Sequence, residues 1–349
     1  MRKKYFYLIL ILLFEACITP YEIEVEEGKQ LLTIDGMITN GPGPHSVKLS
    51  KSTTYGSVFE GVILPERSAK VFVRDEFGEI TYLTEDINER GVYRSPEDFS
   101  AIVGSSYTLN IQLSNGSKYV SLPEVVKPAI PIENFSIVAE EIPVEGELFN
   151  DSGAGIYVDF KDPGDENNFY FWRNEPAIYE LNTRPDLYYP PKSLTPAPKP
   201  CCYTCYLEEE VGNYEIFLTN DDNFNGLNTR FKAAFIKDDG LRFISTFRVD
   251  INQLSISADA YRYLRLVKQQ IELTGSVFDP PPANIRGNMI SLDDPDEVVL
   301  GFFIAAGESK KRIYINREDL EFRQPDFTIA DDCRVVEGAT VIPPDDWLN

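Results

Sequence analysis

Residues 31–50, LLTIDGMITNGPGPHSVKLS, contain the pattern on which the fold rests. Two short β-type runs flank a turn rich in glycine and proline at residues 40–44. In the second run Val47 and Leu49 fall on one face, as expected for a strand with one buried side. Short runs and turn residues continue in this way to about residue 124, without a helical period. The pattern predicts a mainly β protein that begins with an immunoglobulin-like or transthyretin-like β-sandwich.

The second half of the chain is also predicted to consist mostly of strands, with one exception. Ser257 is a good N-cap residue and Gly275 ends the run, which predicts a helix over about 257–274. One apolar stripe along this helix is formed by Ala260, Leu264, Val267 and Ile271. Further on, residues 298–306 predict a buried strand, and residues 311–315 are expected to be its hairpin partner.

Length and composition favour two folded domains. The chain has 349 residues, of which 43% are hydrophobic. This length exceeds what one hydrophobic core usually serves. Residues 125–134 hold two prolines and little pattern, so the boundary is placed there. The sandwich domain then covers 31–124 and a larger β-rich domain covers 135–349. This second domain includes a long loop rich in proline, tyrosine and cysteine at 185–205.

The first residues indicate where the protein is sent. Three basic residues precede an apolar run at 5–14, which is too short to cross a bilayer. Ala16 and Cys17 follow, and a small residue before a cysteine predicts a lipoprotein signal peptide over 1–16. Cys17 would then be diacylated and become the first mature residue. An ordinary secretory signal is the alternative. Residues 17–30 carry four glutamates and read as a flexible acidic tether.

The formal net charge of −23 limits the classes of partner. Nucleic-acid phosphates need basic side chains, so nucleic acid is not an expected partner. Docking on anionic lipid through protein charge is disfavoured for the same reason. Attachment to a membrane is therefore expected to come from N-terminal acyl chains.

Four cysteines follow the lipidation site, namely Cys201, Cys202, Cys205 and Cys333. An even number in an exported chain predicts disulfides. A bond between the two adjacent cysteines is expected to be strained and disfavoured. We therefore expect one long-range bridge from the 201–205 cluster to Cys333, and one local bridge. A zinc site with four thiolate ligands is the alternative.

Residues for catalysis are scarce. A Ser-His-Asp or Cys-His enzyme needs a histidine, and the chain has only His45, which the glycine- and proline-rich turn predicts to be a surface residue. Phosphate-loop, dinucleotide and metalloprotease motifs are missing from the sequence. We therefore expect no catalytic residues and no enzymatic activity.

One stretch matches part of a calcium loop. Asp221, Asn223 and Asn225, followed by Gly226, fit its first six positions, where alternate oxygen ligands suit a hard cation. The twelfth position, where a glutamate is expected, is Lys232. An ordinary turn between strands explains the same residues, so calcium is a weak candidate and no other cofactor is expected.

Tyrosines mark the long loop as a contact region. Tyr188, Tyr189, Tyr203 and Tyr206 lie near several prolines and could offer flat rings to a sugar or a protein partner. Ordinary packing of the loop is the alternative.

Several phrases occur together in one known family. They are Cys17 with its acidic follow-on and residues 32–39, 47–50, 162–170, 275–288 and 299–303. In these the chain resembles the domain-of-unknown-function family 4249, uncharacterised lipoproteins of Bacteroidota. The resemblance implies an outer-membrane lipoprotein, lipid-anchored and facing the cell exterior. It also implies an accessory role beside an outer-membrane β-barrel complex, such as a TonB-dependent transporter or a similar assembly or export machinery.

Two other functions remain open at this stage. A glycan- or peptide-binding surface lipoprotein for nutrient capture would use the tyrosines of the long loop. An uncharacterised hydrolase is a further alternative, because 56 acidic residues leave room for a pair of carboxylates.

Overall fold

A computed structural model describes residues 30–52, 64–143, 150–211, 215–272, 285–321 and 324–347. The predicted signal peptide, Cys17 and nearly all of the tether lie outside the described residues, as does Gly275. The predicted mainly β class with one prominent helix is confirmed.

The first part of the chain forms nine strands. They are β1 (Leu32–Thr39), β2 (Ser46–Lys51), β3 (Leu64–Pro65), β4 (Lys70–Asp75), β5 (Ile80–Glu85), β6 (Val92–Arg94), β7 (Ser106–Gln112), β8 (Lys118–Ser121) and β9 (Glu124–Val125). Alternation along these strands decides which side chains are buried, as the sequence predicts. Val47 and Leu49 of β2 are both fully buried, and so is Leu109 of β7.

The second part supplies ten more strands and the helix. They are β10 (Asn134–Ile142), β11 (Asp151–Lys161), β12 (Phe169–Asn174), β13 (Ala177–Asn182), β14 (Thr204–Glu209), β15 (Phe217–Asn220), β16 (Asn228–Lys237), β17 (Phe247–Ser255), α1 (Ala258–Glu272), β18 (Met289–Ser291) and β19 (Leu300–Ile315). Short 3-10 turns cover Pro185–Leu187, Arg317–Asp319 and Cys333–Val335.

Hydrogen bonds link most strands into one continuous path. Its order is β14-β13-β17-β19-β1-β2-β6-β5-β4-β7-β8-β18, while β10, β11 and β16 form a separate sheet. Two large cores result. The first lies among the strands that precede β10 and includes Ile34 and Leu109. The second lies between the separate sheet and strands β12, β13 and β17, and includes Trp172 and Phe247.

Strand β19 belongs to both cores. Its first seven residues pair in parallel with β1, and its remaining nine pair antiparallel with β17. Phe303 and Ala305 therefore lie in the first core, whereas Ile313 and Ile315 lie in the second. The predicted domain boundary at 125–134 stays a prediction. Residues from both sides of it, such as Leu109 and Phe303, fill the first core.

The predicted hairpin between residues 298–306 and 311–315 is wrong, because both runs belong to the single strand β19. The glycine between them serves a close approach and not a turn. A Cβ atom on Gly307 would lie 2.1 Å from the carbonyl oxygen of Lys127. Only glycine lets the segment after β9 pass so near the strand.

That segment, residues 127–132, is fixed to the second core by hydrogen bonds. The Ile132 N–H donates to Ser309 Oγ over 3.1 Å. The carbonyl oxygen of Ile130 accepts from Gln253 Nε2 over 2.9 Å, and Gln253 Oε1 accepts from Trp172 Nε1 over 3.0 Å. Gln253 is fully buried, so its two bonds satisfy an amide that would otherwise be costly to bury.

Helix α1 begins as predicted. The Ala260 N–H donates to Ser257 Oγ over 3.1 Å, which is the expected N-cap bond. The helix packs through Tyr261 and Tyr263, whose rings lie 5.0 Å from those of Phe169 and Phe302. Among the residues that the structure describes, no helix is long and apolar enough to cross a bilayer.

Candidate functional site

A cleft of about 540 Å³ opens beside the cysteine-rich end of the long loop. It is called the disulfide cleft below. Strands β13 and β14 and the end of the loop form its floor, and residues near the C-terminus close one side. Its lining residues are Glu180, Asn182, Pro200, Cys201, Cys202, Tyr203, Thr204, Tyr206, Val341 and Pro343.

Strand alternation explains why polar side chains line this cleft. In β13 the side chains of Tyr179 and Leu181 are buried in the second core, so those of Glu180 and Asn182 point outward. Glu180 lies opposite Tyr206 of β14, and Asn182 lies opposite Thr204. Sequence reasoning missed Glu180, Asn182 and Thr204, although the alternation in residues 177–182 carries the signal that places them.

Hydrogen bonds hold these polar groups in a row. Asn182 Nδ2 donates to Glu180 Oε1 over 3.0 Å. Thr204 Oγ1 donates to Asn182 Oδ1 over 2.7 Å. The row therefore presents a carboxylate, an amide and a hydroxyl in fixed orientations across two paired strands.

The predicted long-range disulfide forms between Cys205 and Cys333, which lie 128 positions apart. Both residues are fully buried. The prediction that adjacent cysteines do not bond is wrong, because Cys201 and Cys202 form the second disulfide. Cys205 faces the core and is bonded to Cys333. The two cysteines of the preceding turn are therefore the pair that remains, and they bond to each other. The four-thiolate zinc alternative is wrong too, since all four cysteines are in disulfides.

The C-terminal residues are attached to the cleft through Tyr206. Its N–H donates to the Thr340 carbonyl oxygen over 2.7 Å, and the Thr340 N–H donates back over 2.9 Å. Trp347 packs edge-on against the Tyr206 ring at a centroid distance of 5.2 Å. Burial raises the pKa of Tyr206, and the nearby Glu180 carboxylate raises it further.

The structure separates the four predicted contact tyrosines into two pairs. Tyr203 and Tyr206 line the disulfide cleft, and Tyr203 remains 48% exposed. Tyr188 and Tyr189 lie outside the cleft lining. The Lys199 ammonium lies 5.9 Å from the Tyr188 ring centroid, while Tyr189 is exposed to solvent.

The calcium-loop candidates lie in the turn between β15 and β16. Asp221 is buried, and its Oδ2 accepts the Asn168 N–H over 2.9 Å. The side chains of Asn223 and Asn225 are exposed. Gly226 has a φ of +75°, as the turn requires. Across the described parts of the chain, no group of three or more His, Cys, Asp or Glu side chains could hold a metal ion.

The single histidine is not on the surface, which corrects the sequence prediction. His45 is 9% exposed, and its ring meets the Phe99 ring edge-on at 5.8 Å. The Ser95 N–H donates to the His45 carbonyl oxygen over 2.9 Å, which holds the turn against the segment that follows β6. Burial lowers the pKa of His45.

A buried carboxylate lies away from the cleft, at the end of the first sandwich. Glu124 is 4% exposed, and Asn288 Nδ2 lies 3.5 Å from its Oε1. Among the described residues its Oε2 has no hydrogen-bond partner. Burial raises the pKa of Glu124 to about 7, against smaller lowering effects of Ser257 and Asn288. The folded protein thus holds a proton here that the unfolded chain releases at lower pH.

Glu124→Gln is expected to stabilise the protein at pH 8 and to change little at pH 5. Because the folded pKa is raised, stability falls as pH rises from about 4.5 to 7, and the loss is complete above that window. Removing the charge should restore up to roughly 3 kcal/mol at pH 8. Urea unfolding across this pH range measures the difference. The exposed Glu97→Gln is the control, and a Glu124→Gln effect of equal size at both pH values would contradict the assignment.

The fold and the cleft define a class: a two-core β-sandwich protein whose cleft is bounded by disulfides and lined by polar and aromatic groups. A family model described as "Domain of unknown function (DUF4249)" matches residues 18–312. The chain belongs to this family, as the resemblance predicted. None of the curated proteins compared with the chain matches it. Residues 180–206 of the cleft fall inside the matched region, whereas Cys333 and the C-terminal wall lie beyond it.

Proposed function

We propose that the chain is a non-enzymatic, lipid-anchored lipoprotein of the outer membrane that faces the cell exterior. In this role it is an accessory subunit of a β-barrel complex such as a TonB-dependent transporter. The lipoprotein pattern around Cys17 and the four glutamates that follow it support the location. The side chains that line the disulfide cleft are binding groups without a nucleophile beside a base, which favours recognition over catalysis.

One structural observation carries the accessory role. The segment between β13 and β14 is held at both ends, since Cys205 is bonded to Cys333 and the Arg184 N–H donates to the Ile329 carbonyl oxygen over 2.9 Å. It nevertheless keeps large apolar side chains in solvent, with Leu194 97% exposed and Tyr189 58% exposed. Held in place at both ends, this segment offers these apolar side chains to a protein partner.

Two measurements test this proposal. Cys17→Ser is expected to abolish acyl labelling and to move the protein from the membrane fraction to the soluble fraction. The wild-type protein, purified by a C-terminal tag from detergent-solubilised outer membrane, is expected to bring a β-barrel protein with it. The double variant Tyr189→Ala/Leu194→Ala should recover much less partner, whereas the exposed Arg262→Ala on α1 should not. Recovery of the chain alone would overturn the accessory role.

A second function is favoured by a separate observation, the open disulfide cleft. Its volume lies within the usual range for small-ligand sites, and its lining is mainly polar with an exposed tyrosine ring. This second proposal is capture of a glycan or a peptide by a non-enzymatic surface lipoprotein. It does not compete with the accessory role for the same residues, because Tyr189 and Leu194 lie outside the cleft lining.

A further inference from the structure

The electrostatic character of the disulfide cleft excludes one class of ligand. Its lining contains the carboxylate of Glu180 and no lysine, arginine or histidine. The guanidinium of Arg334 approaches the disulfide, with its Nη2 4.0 Å from Cys201 Sγ. That guanidinium is already held by Asp332 through bonds of 2.9 and 2.7 Å. Phosphates, sulfates and acidic sugars therefore have no partner in the cleft.

The polar side of the cleft suits hydroxyl groups. Glu180 and Asn182 are two residues apart on one strand, so their Cα atoms lie about 7 Å apart and their side chains share one face. After the bonds within the row, Asn182 keeps one N–H and one lone pair of its amide oxygen, and Glu180 keeps a free carboxylate oxygen, so both can still bond ligand hydroxyls. The bonds that join Glu180, Asn182 and Thr204 fix the orientation of these groups before a ligand arrives.

The lining of the cleft also includes less polar groups. Tyr203 offers a half-exposed ring, and the exposed Cys201 offers the polarisable sulfur of its disulfide, whereas Cys202 is buried. Such a surface favours a ligand with one apolar face, which loses little when it leaves water.

From the row of polar groups and the exposed Tyr203 ring we infer that the disulfide cleft binds a neutral pyranose ring of a glycan. The C–H face of the sugar packs on Tyr203 and the disulfide, and its ring hydroxyls bond to Glu180 and Asn182. A cationic peptide side chain could use Glu180 and Tyr203, but a cation only donates hydrogen bonds and so offers no acceptor to the remaining N–H of Asn182. The inference rests on the second proposed function, ligand capture, and narrows its ligand to neutral sugars.

Calorimetric titration of the full-length lipidated protein in detergent micelles tests the inference. The probes are maltohexaose, cellohexaose and xylohexaose as neutral glycans, hexagalacturonate as an acidic glycan and a lysine-rich hexapeptide. At least one neutral glycan is expected to bind saturably. Tyr203→Ala should raise its Kd by at least about tenfold, since it removes the main stacking surface. Glu180→Gln should raise the Kd several-fold while it preserves the shape of the cleft.

The control is Tyr189→Ala, which removes an exposed tyrosine of the same loop outside the cleft and should leave the Kd unchanged. Binding of hexagalacturonate or the hexapeptide in place of every neutral glycan would overturn the inference, as would no binding at all. Neutral-glycan binding that survives Tyr203→Ala would overturn it too.

The outcome for the accessory role is read separately. Tyr203→Ala is expected to recover as much β-barrel partner as the wild type. If the protein binds only the hexapeptide, ligand capture stands and the inference of a neutral sugar is overturned. If it binds a neutral glycan but recovers no β-barrel protein, only the accessory role is overturned.

Discussion

Gly307→Ala is expected to destabilise the protein by at least about 3 kcal/mol. The added Cβ would lie 2.1 Å from the carbonyl oxygen of Lys127 and 2.7 Å from the amide nitrogen of Ala129. Both contacts are with backbone, so no side-chain rotation relieves them. The backbone of residues 127–132 cannot move away cheaply, because Ser309 and Gln253 hold it by hydrogen bonds.

Urea unfolding followed by far-UV circular dichroism measures this loss as a shift of the midpoint. Gly36→Ala in the neighbouring strand β1 is a matched control. There the new Cβ would meet only side-chain atoms, the nearest being Val47 Cγ2 at 3.2 Å. A small shift of that methyl group accommodates it, so the cost should stay below about 1 kcal/mol. Equal losses for the two variants would show that the close approach at Gly307 is unimportant.

Cys205→Ala/Cys333→Ala is expected to lower the free energy of unfolding by about 4 to 5 kcal/mol. The bridge joins residues 128 positions apart, and a loop of this length strongly restricts the unfolded chain. Both cysteines are fully buried, so removing the sulfur atoms also leaves small cavities. The double variant is used because a single substitution would leave a free thiol able to exchange with the other disulfide.

The disulfide between Cys201 and Cys202 gives the matched control. It joins neighbouring residues, so it restricts the unfolded chain far less. Cys201→Ser/Cys202→Ser should therefore lower stability by only about 1 kcal/mol. Urea unfolding of both variants against the wild type decides the comparison. A larger loss in the control would contradict the assignment of stability to the long-range bridge.

Local patterns predicted the strands and the helix well, because period and capping act over a few residues. Val47 and Leu49 are buried as their alternation indicates, and Ser257 caps α1 as its position indicates. Pairing across long distances could not be predicted. Alternation shows which face of β19 is buried, but it does not show that one strand serves two cores. The role of Gly307 depends on residues 127–129, which are remote in sequence.

The candidate site was predicted only in part, and for a similar reason. Tyr203 and Tyr206 stood out by residue type, and both line the disulfide cleft. Glu180 and Asn182 did not stand out, because a carboxylate or an amide on a strand is ordinary until its neighbours are known. Local geometry alone disfavours a bond between Cys201 and Cys202. The sequence does not show that Cys205 pairs with Cys333 in the fold, which leaves the two adjacent cysteines as the remaining pair.

The pairing of β1 with β19 has a consequence for how the chain is made. Thr33 of β1 pairs with Leu300 of β19. Strand β1 therefore leaves the ribosome long before its parallel partner β19 has been made. At roughly 5–20 residues per second, β1 waits on the order of tens of seconds for β19. The first core cannot close during that interval, and its open edge is available to other chains. Export as proposed above requires a chain that has not yet folded, and this delay is compatible with that requirement. It also means that a chain cut short before residue 300 is expected to aggregate and not to yield a working N-terminal half.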